Sequence, residues 1–362
     1  MAYKINKPTV FWRLLILPIL LSFVGLVFIF EASSIKSFKE FNDSFYFLKL
    51  QTFWVFLGII VMLFFLNLDY HKLYYISFYL MFFNILLLIL VLIPGVSQTV
   101  GGAKRWINLG FFNIQPTELA KFTTIIYLCS WFLHRERKRF FAFLILLSLI
   151  IFFIILQPDL GTAFLIFLIF ILIYLYAGID LYYLFFLIPL ATVVFLFLIK
   201  IAPYRFRRFL SFLNPSQDPL NAGYHINQIF ISLANGGFFG LGLGASRQKY
   251  LFLPEAHTDS IFAIITEEFG FLGAVIIIFF YIYFLQLLFF TITKTKDRFG
   301  FLLTSAIFSL FSLEILINLG GIVNLIPLTG IPLPFISYGG SNLLISYALV
   351  GISLNVLRQG KT

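Results

Sequence analysis

Ten apolar stretches, each about long enough to cross a bilayer, follow one another along this chain. They run from Leu14 to Phe30, Phe47 to Leu66, Leu73 to Ile93, Ile114 to Leu133, Phe140 to Leu156, Leu160 to Ala177, Leu181 to Ile199, Ser260 to Phe284, Gly300 to Ile317 and Ser337 to Val356. A helix needs roughly 20 apolar residues to cover about 30 Å of hydrocarbon. With 61% apolar and 11% charged residues, a water-soluble domain of 362 residues has no core large enough to hide them. The pattern predicts an all-α integral membrane protein of about ten transmembrane helices, with one large extracytoplasmic loop, 200–259, between the seventh and eighth. The first stretch follows Lys4, Lys7 and Arg13 and precedes Ala32-Ser33-Ser34, which raises the question of a cleaved signal peptide. Its apolar part exceeds the roughly 7 to 15 residues of a secretory segment, so it reads as an uncleaved anchor. The single cysteine, Cys129, falls inside the fourth stretch and reads as a packing residue. It excludes an internal disulfide or thiolate metal site.

Lys and Arg set the orientation, because retained cytoplasmic loops carry an excess of them. With the N-terminus inside, Lys4, Lys7, Arg13, Lys72, Arg135, Arg137, Lys138, Arg139, Lys294, Lys296, Arg298, Arg358 and Lys361 are cytoplasmic. Lys36, Lys39, Lys49, Lys104 and Arg105 lie outside. An even number of spans places both termini in the cytoplasm. The run Arg135-Glu136-Arg137-Lys138-Arg139 then reads as a topology signal beside anionic lipid, not as a nucleic-acid site.

The loop 200–259 is too long for a plain connection, and its composition argues for order. It carries Lys200, Arg205, Arg207, Arg208, Arg247 and Lys249 on the outer face. Guanidinium groups suit phosphates and diphosphates, and contact with lipid headgroups is the simpler alternative. The glycines from Gly236 to Gly244 lack the strand, helix and acid of a dinucleotide site and the Gly-Lys-Ser/Thr ending of a phosphate loop. They suit tight backbone packed against helices. Glu255 and Asp259 close the loop at a spacing that would align them on a helix. Asp259 stands before an apolar run, so a helix N-cap competes with a chemical role. His257 between them has no second His or Cys nearby to complete a zinc set.

Ionisable residues at membrane depth are costly and point to a cavity or a partner. Glu118 and Lys121 share a helix face, either as functional groups or as a structural ion pair. Asp159, at the outer junction of spans five and six, suits a cap or a cation contact, and Glu314 is a further intramembrane acid. Trp106, after Lys104-Arg105, suits either a sugar face or the aromatic belt. The run from Pro332 to Ser341 suggests a rigid outer turn, with small residues for close helix packing or for a lipid groove.

Taken in order, Lys104-Arg105-Trp106, Gln115 to Lys121, Gln157 to Thr162, Asp218-Pro219, Ala222-Gly223-Tyr224, Pro254 to Asp259 and Pro334 to Ser341 resemble the SEDS family of shape, elongation, division and sporulation proteins, which includes RodA and FtsW. The resemblance spans the whole chain, read as a single transmembrane domain over 1–362, and leans toward FtsW. It implies a peptidoglycan glycosyltransferase of the bacterial cytoplasmic membrane that polymerises lipid II on the outer face beside a class B penicillin-binding protein. Asp259 matches the family's essential acid, Trp106 its required tryptophan, and Glu118 and Lys121 its intramembrane acid and base. Ser260 departs from the aromatic residue of many members without touching the carboxylate itself.

In the implied reaction a GlcNAc 4-hydroxyl attacks the anomeric carbon of the lipid-linked strand and displaces undecaprenyl diphosphate. An α-linked donor then gives a β-1,4 bond by inversion. Such chemistry needs one base and charge stabilisation of the leaving group. Asp259 is the expected base. Lys104, Arg105, Trp106, Glu118, Lys121, Asp159, Arg205, Arg208, Glu255, His257, Ser337 and Gly339 are the expected substrate contacts. A divalent cation, Mg²⁺ or Mn²⁺, is an expected aid to the diphosphate, with Asp259 as a candidate ligand, and no organic cofactor is called for. The competing readings are a lipid II transporter and a scaffold for the penicillin-binding protein.

Overall fold

The computed structural model describes residues 7–100, 103–108, 110, 113–133, 140–178, 182–215 and 222–360. The Arg135 to Arg139 run and Asp218-Pro219 lie outside the described residues, as does the side chain of Lys104.

All ten apolar stretches are helical: α1 (Lys7–Phe41), α2 (Tyr46–Asn67), α3 (Lys72–Leu90), α4 (Pro116–Trp131), α5 (Phe140–Leu156), α6 (Leu160–Tyr176) and α7 (Tyr182–Ile201) precede the large loop. Within the loop lie α8 (Pro203–Leu213) and α9 (Ala222–Gly236), followed by α10 (Ile261–Lys294), α11 (Arg298–Ile322) and α12 (Gly340–Gln359). Among the described residues, seven helices are long and apolar enough to cross a membrane, namely α1, α2, α3, α7, α10, α11 and α12. The remaining three, α4 to α6, have 16 or 17 residues each. One apolar core runs from Val10 to Leu357, with α11 and α12 at its centre and the outer faces of α3 and α7 bare for lipid.

Both chain ends meet at one side of the bundle, where Lys7 Nζ donates to the carbonyl of Gly360 at 3.0 Å. On that side Arg298 also donates to the carbonyls of Phe132 and Ala177, tying three connections together. The large loop and the connection before α4 lie at the other side.

Two features depart from the all-α expectation. The connection between α3 and α4 forms a three-stranded antiparallel sheet of β1 (Ser97–Val100), β2 (Ala103–Asn108) and β3 (Asn113–Ile114). In it Val100 pairs with Ala103 and Ser97 with Ile107, in a stretch that lies between two apolar runs. The eighth stretch is also not one straight span. Gly270 breaks α10 at φ 66 and ψ −164. The part after the break is itself long enough, at about 1.5 Å per residue, to cross about 30 Å. The buried turns from Ile261 to Glu268 therefore belong to the outer, loop-bearing side.

The glycine-rich segment supplies the hydrogen bonds that the break removes. Leu241 and Gly242 donate to the carbonyls of Glu267 and Glu268, and Phe271 and Leu272 donate to those of Gly237 and Phe238. Gly240 and Gly270 both have positive φ, and a side chain on either would strike the other's backbone. The tight backbone expected of these glycines is thus present, packed on a helix.

Gly25 of α1 packs directly on the chain before α12, where an added Cβ would lie 2.7 Å from the carbonyl oxygen of Ile336. Gly25→Leu is expected to cost about 1–3 kcal/mol through overpacking. The check is thermal melting of the purified protein in detergent; an unchanged midpoint would refute the contact.

Candidate site beneath the large loop

Residues 329–339, irregular and largely buried between α11 and α12, together with the first turn of α12 touch three of the other motifs singled out in the sequence. Gly161 of α6 packs on the backbone of Thr329, where its Cβ would lie 2.7 Å from the carbonyl oxygen. Asp259 Oδ2 lies 3.8 Å from the corresponding position on Gly330. Tyr338 donates its N–H to the carbonyl of His257 at 2.9 Å. Ser341 Oγ accepts from the N–H of Gln115 at 3.1 Å, and Asn342 Nδ2 donates to Glu118 Oε2 at 3.0 Å.

The segment owes its shape to internal bonds and to its neighbours. Ser337 Oγ accepts from the N–H of Leu333 at 2.9 Å, and Tyr281 donates to the carbonyl of Pro334 at 2.6 Å. Gln51 of α2 donates to the carbonyl of Ser337 and accepts from the N–H of Gly339. Ser337 and Gly339 thus take part in holding the turn. The small residues serve close packing: a Cβ on Gly340 would lie 2.2 Å from the Trp54 ring.

Asp259 sits at the end of a run of turns, not on a helix. The N-cap of α10 is Ser260, without a side-chain cap bond. The Asp259 carboxylate faces the Thr258 hydroxyl at 3.4 Å, and that hydroxyl lies 3.0 Å from Glu255 Oε2. Glu255, at φ 50, is therefore linked to Asp259 through Thr258 and not by helical spacing. Burial, reinforced by the charge of Glu255 and opposed by that of Arg208, raises the Asp259 pKa to about 6. His257 is buried between Phe47 and Tyr338. Burial, then the Lys36 charge, lowers its pKa to about 4, so it is neutral at ordinary pH.

Three residues that the sequence reading missed lie around Asp259. Asn318 of α11 donates from Nδ2 to the carbonyls of Asp259 and Ile331, both at 2.9 Å. His225 Nε2 lies 2.8 Å from Ser260 Oγ, and Gln51 braces the turn beneath His257. A polar residue within an apolar helix, such as Asn318, was the available signal.

Other expected contacts are committed elsewhere. Asp159 caps α6, accepting from the N–H of Thr162 at 3.2 Å, and pairs with Arg105 at 3.7 Å. Arg105 also donates to the carbonyls of Gln157 and Pro158, clasping the strand hairpin to the top of α6. Asp159 thus caps α6, and Arg105 makes these structural bonds while staying partly exposed. Trp106, its neighbour on β2, is partly exposed. Arg205 donates to the Tyr204 hydroxyl and to the carbonyls of Leu198 and Ile155, which pins α8 to α7 and α5. Lys249 is buried against Glu31 at 2.8 Å and Glu268 at 3.5 Å. Lys200, Arg207, Arg208 and Arg247 remain exposed cations of the loop.

Glu118 and Lys121 are buried and closed on each other. Lys121 Nζ lies 2.7 Å from Glu118 Oε2 and 2.5 Å from Glu314 Oε1, with all three side chains at most 6% exposed. The structural reading of this pair, enlarged by Glu314 to join α4 and α11, is the one the geometry supports.

The family profile described as "Cell cycle protein", covering FtsW, RodA and SpoVE, matches residues 11–362. This chain belongs to that family. Stage V sporulation protein E of Bacillus subtilis is 38% identical over 96% of this chain and 97% of its own length. A probable peptidoglycan glycosyltransferase FtsW of Geobacter sp. is also 38% identical, over 94% of this chain and 95% of its own length. Among solved structures, a chain described under "Structural coordination of polymerization and crosslinking by a peptidoglycan synthase complex" is 26% identical, with a TM-score of 0.78 over 96% of this chain and 97% of that one. A point mutant of the Thermus thermophilus rod shape determining protein RodA, 24% identical, has the same fold, with a TM-score of 0.73 over 97% of this chain and 98% of that one.

In this FtsW/RodA/SpoVE relative the buried triad predicts a specific loss. Lys121→Met leaves two carboxylates facing each other and is expected to cost about 3–5 kcal/mol. Adding Glu118→Gln and Glu314→Gln should recover much of it. Folded yield and melting of the single and triple variants in detergent test this; equal losses in both would refute the pairing.

Proposed function

We infer that this chain is a peptidoglycan glycosyltransferase that polymerises lipid II into β-1,4-linked glycan at the outer face of the bacterial cytoplasmic membrane, with Asp259 as its general base. The observation carrying the role of Asp259 is that its carboxylate is not spent on capping α10, while its pKa is raised toward neutrality. A carboxylate in that range is ionised at ordinary pH and basic enough to take a proton from a sugar hydroxyl as the new bond forms. The step balances simply. The 4-hydroxyl oxygen bonds to the anomeric carbon from the face opposite the diphosphate, its proton passes to Asp259, and the carbon–oxygen bond to undecaprenyl diphosphate breaks with inversion.

Arg208 acts electrostatically on Asp259, and with Arg207 it forms an exposed cationic edge of α8 suited to the leaving diphosphate. Among the described residues no three His, Cys, Asp or Glu side chains are grouped to hold an ion by themselves. Mg²⁺ commonly takes only one or two carboxylates together with substrate phosphates, which fits Asp259 and Glu255 as its protein ligands. Such an ion would supply charge neutralisation of the diphosphate. Trp106, on the same outer side, suits stacking on a sugar.

The two chain ends meeting through Lys7 and Gly360 support a cytoplasmic position for both termini. The likeness to a chain of a peptidoglycan synthase complex supports a class B penicillin-binding protein as the partner, with membrane lipid covering the remaining apolar faces. The closed triad of Glu118, Lys121 and Glu314 gives no support to a polar transport path.

Asp259→Asn should abolish lipid II polymerisation, and near wild-type activity would refute the base. The wild-type rate should rise with pH through about 6 and level off above it, because activity follows the ionised carboxylate. Stability runs the other way. A carboxyl raised from 3.8 to about 6 in the folded state loses stability as pH rises through that window. Asp259→Asn removes that penalty and should melt higher at pH 7, by the equivalent of about 1–3 kcal/mol. Melting in detergent checks the sign.

A further inference from the structure

Asn318 lies on α11 one turn from Glu314 and is 5% exposed. Both bonds from its amide nitrogen go to backbone carbonyls of irregular segments, Asp259 on one side and Ile331 on the other. Its amide oxygen is buried without a partner. A packing residue of the same size, such as Leu, would fill the space without that orphaned acceptor, so the position is explained by the two donors. Those donors join the turn bearing the carboxylate to the strand of chain that walls it, since Gly330 stands directly against Asp259 Oδ2. No other side chain among the described hydrogen bonds holds both segments at once.

We propose that Asn318 is a positioning residue for Asp259: it fixes the distance between the carboxylate and the Gly330–Ile331 wall by holding one carbonyl of each from the rigid helix α11. The proposal rests on the reading of Asp259 as the base. Asn318 does not meet the substrate, so its loss displaces the base without removing a binding contact. A misplacement of about 1 Å at a reacting group can cost on the order of a hundredfold in rate.

The test uses the full chain in detergent with lipid II, comparing wild type with Asn318→Asp, which is isosteric but replaces the donating nitrogen with a carboxylate oxygen that both carbonyls repel, and with Asn318→Ser, which keeps one donor. Asn318→Asp should lower kcat by about tenfold or more with KM within about twofold. Asn318→Ser should fall between. An unchanged kcat or a loss carried by KM in folded protein overturns the proposal. If Asn318→Asp does not fold, Asn318→Ser carries the same readouts; failure of both to fold marks Asn318 as a packing residue and also overturns it. Asp259→Asn run in parallel separates the two claims. Activity retained there refutes the base itself, whereas inactive Asp259→Asn beside unaffected Asn318 variants refutes only the positioning.

Discussion

Backbone that leaves helical geometry inside a membrane protein must find every hydrogen bond from protein, because no water is there to replace it. Residues 329–342 are where this chain meets that constraint. Their polar groups are met by Tyr281, Asn318, Gln51 and the backbone of His257. Phe335 takes a positive φ there and is buried among Phe284, Phe311 and Tyr347. A left-handed aromatic residue is expensive, and the surrounding rings are what keep it in place. Because the same segment touches Gly161, Asp259, His257, Gln115 and Glu118, its shape fixes where each of those motifs stands.

Hydropathy made the spans legible, since crossing hydrocarbon demands length and apolarity and little else. It did not place the break at Gly270, although Glu267 and Glu268 interrupt the apolar run just before it. The backbone of Gly270 shows the broken helix, as do the bonds that Leu241 and Gly242 donate to α10 and that Phe271 and Leu272 donate to Gly237 and Phe238. The strand hairpin was missed because it lay between two spans where only a loop was sought.

The candidate site was legible where chemistry demands an uncommon residue and obscure where it demands a common one. Asp259 and Asp159 both stand just before a helix, and sequence alone gave each a cap and a chemical role. Asp159 accepts from Thr162, whereas Asp259 leaves the first turn of α10 uncapped. That difference depends on a single turn of backbone and cannot be read from composition. The cations divide in a similar way. Arg105, Arg205 and Lys249 are consumed by carbonyls and carboxylates, while Arg207 and Arg208 stay exposed on α8.

Ser260 shows how local substitution is reconciled with a fixed base. The resemblance implies an aromatic residue at this place in many members, and a bare serine hydroxyl buried here would be costly. His225 meets it at 2.8 Å, and burial with the nearby Arg208 charge lowers the His225 pKa to about 4, so the imidazole is neutral and brings no charge to the site. The next residue is thus anchored through a side chain, and Asp259 is anchored through its own carbonyl by Asn318. Both grips fall beside the carboxylate and neither on it. A carboxylate held in this way keeps a defined position while its side-chain hydrogen bond, from Thr258 at 3.4 Å, is long, a combination that suits the proposed general base.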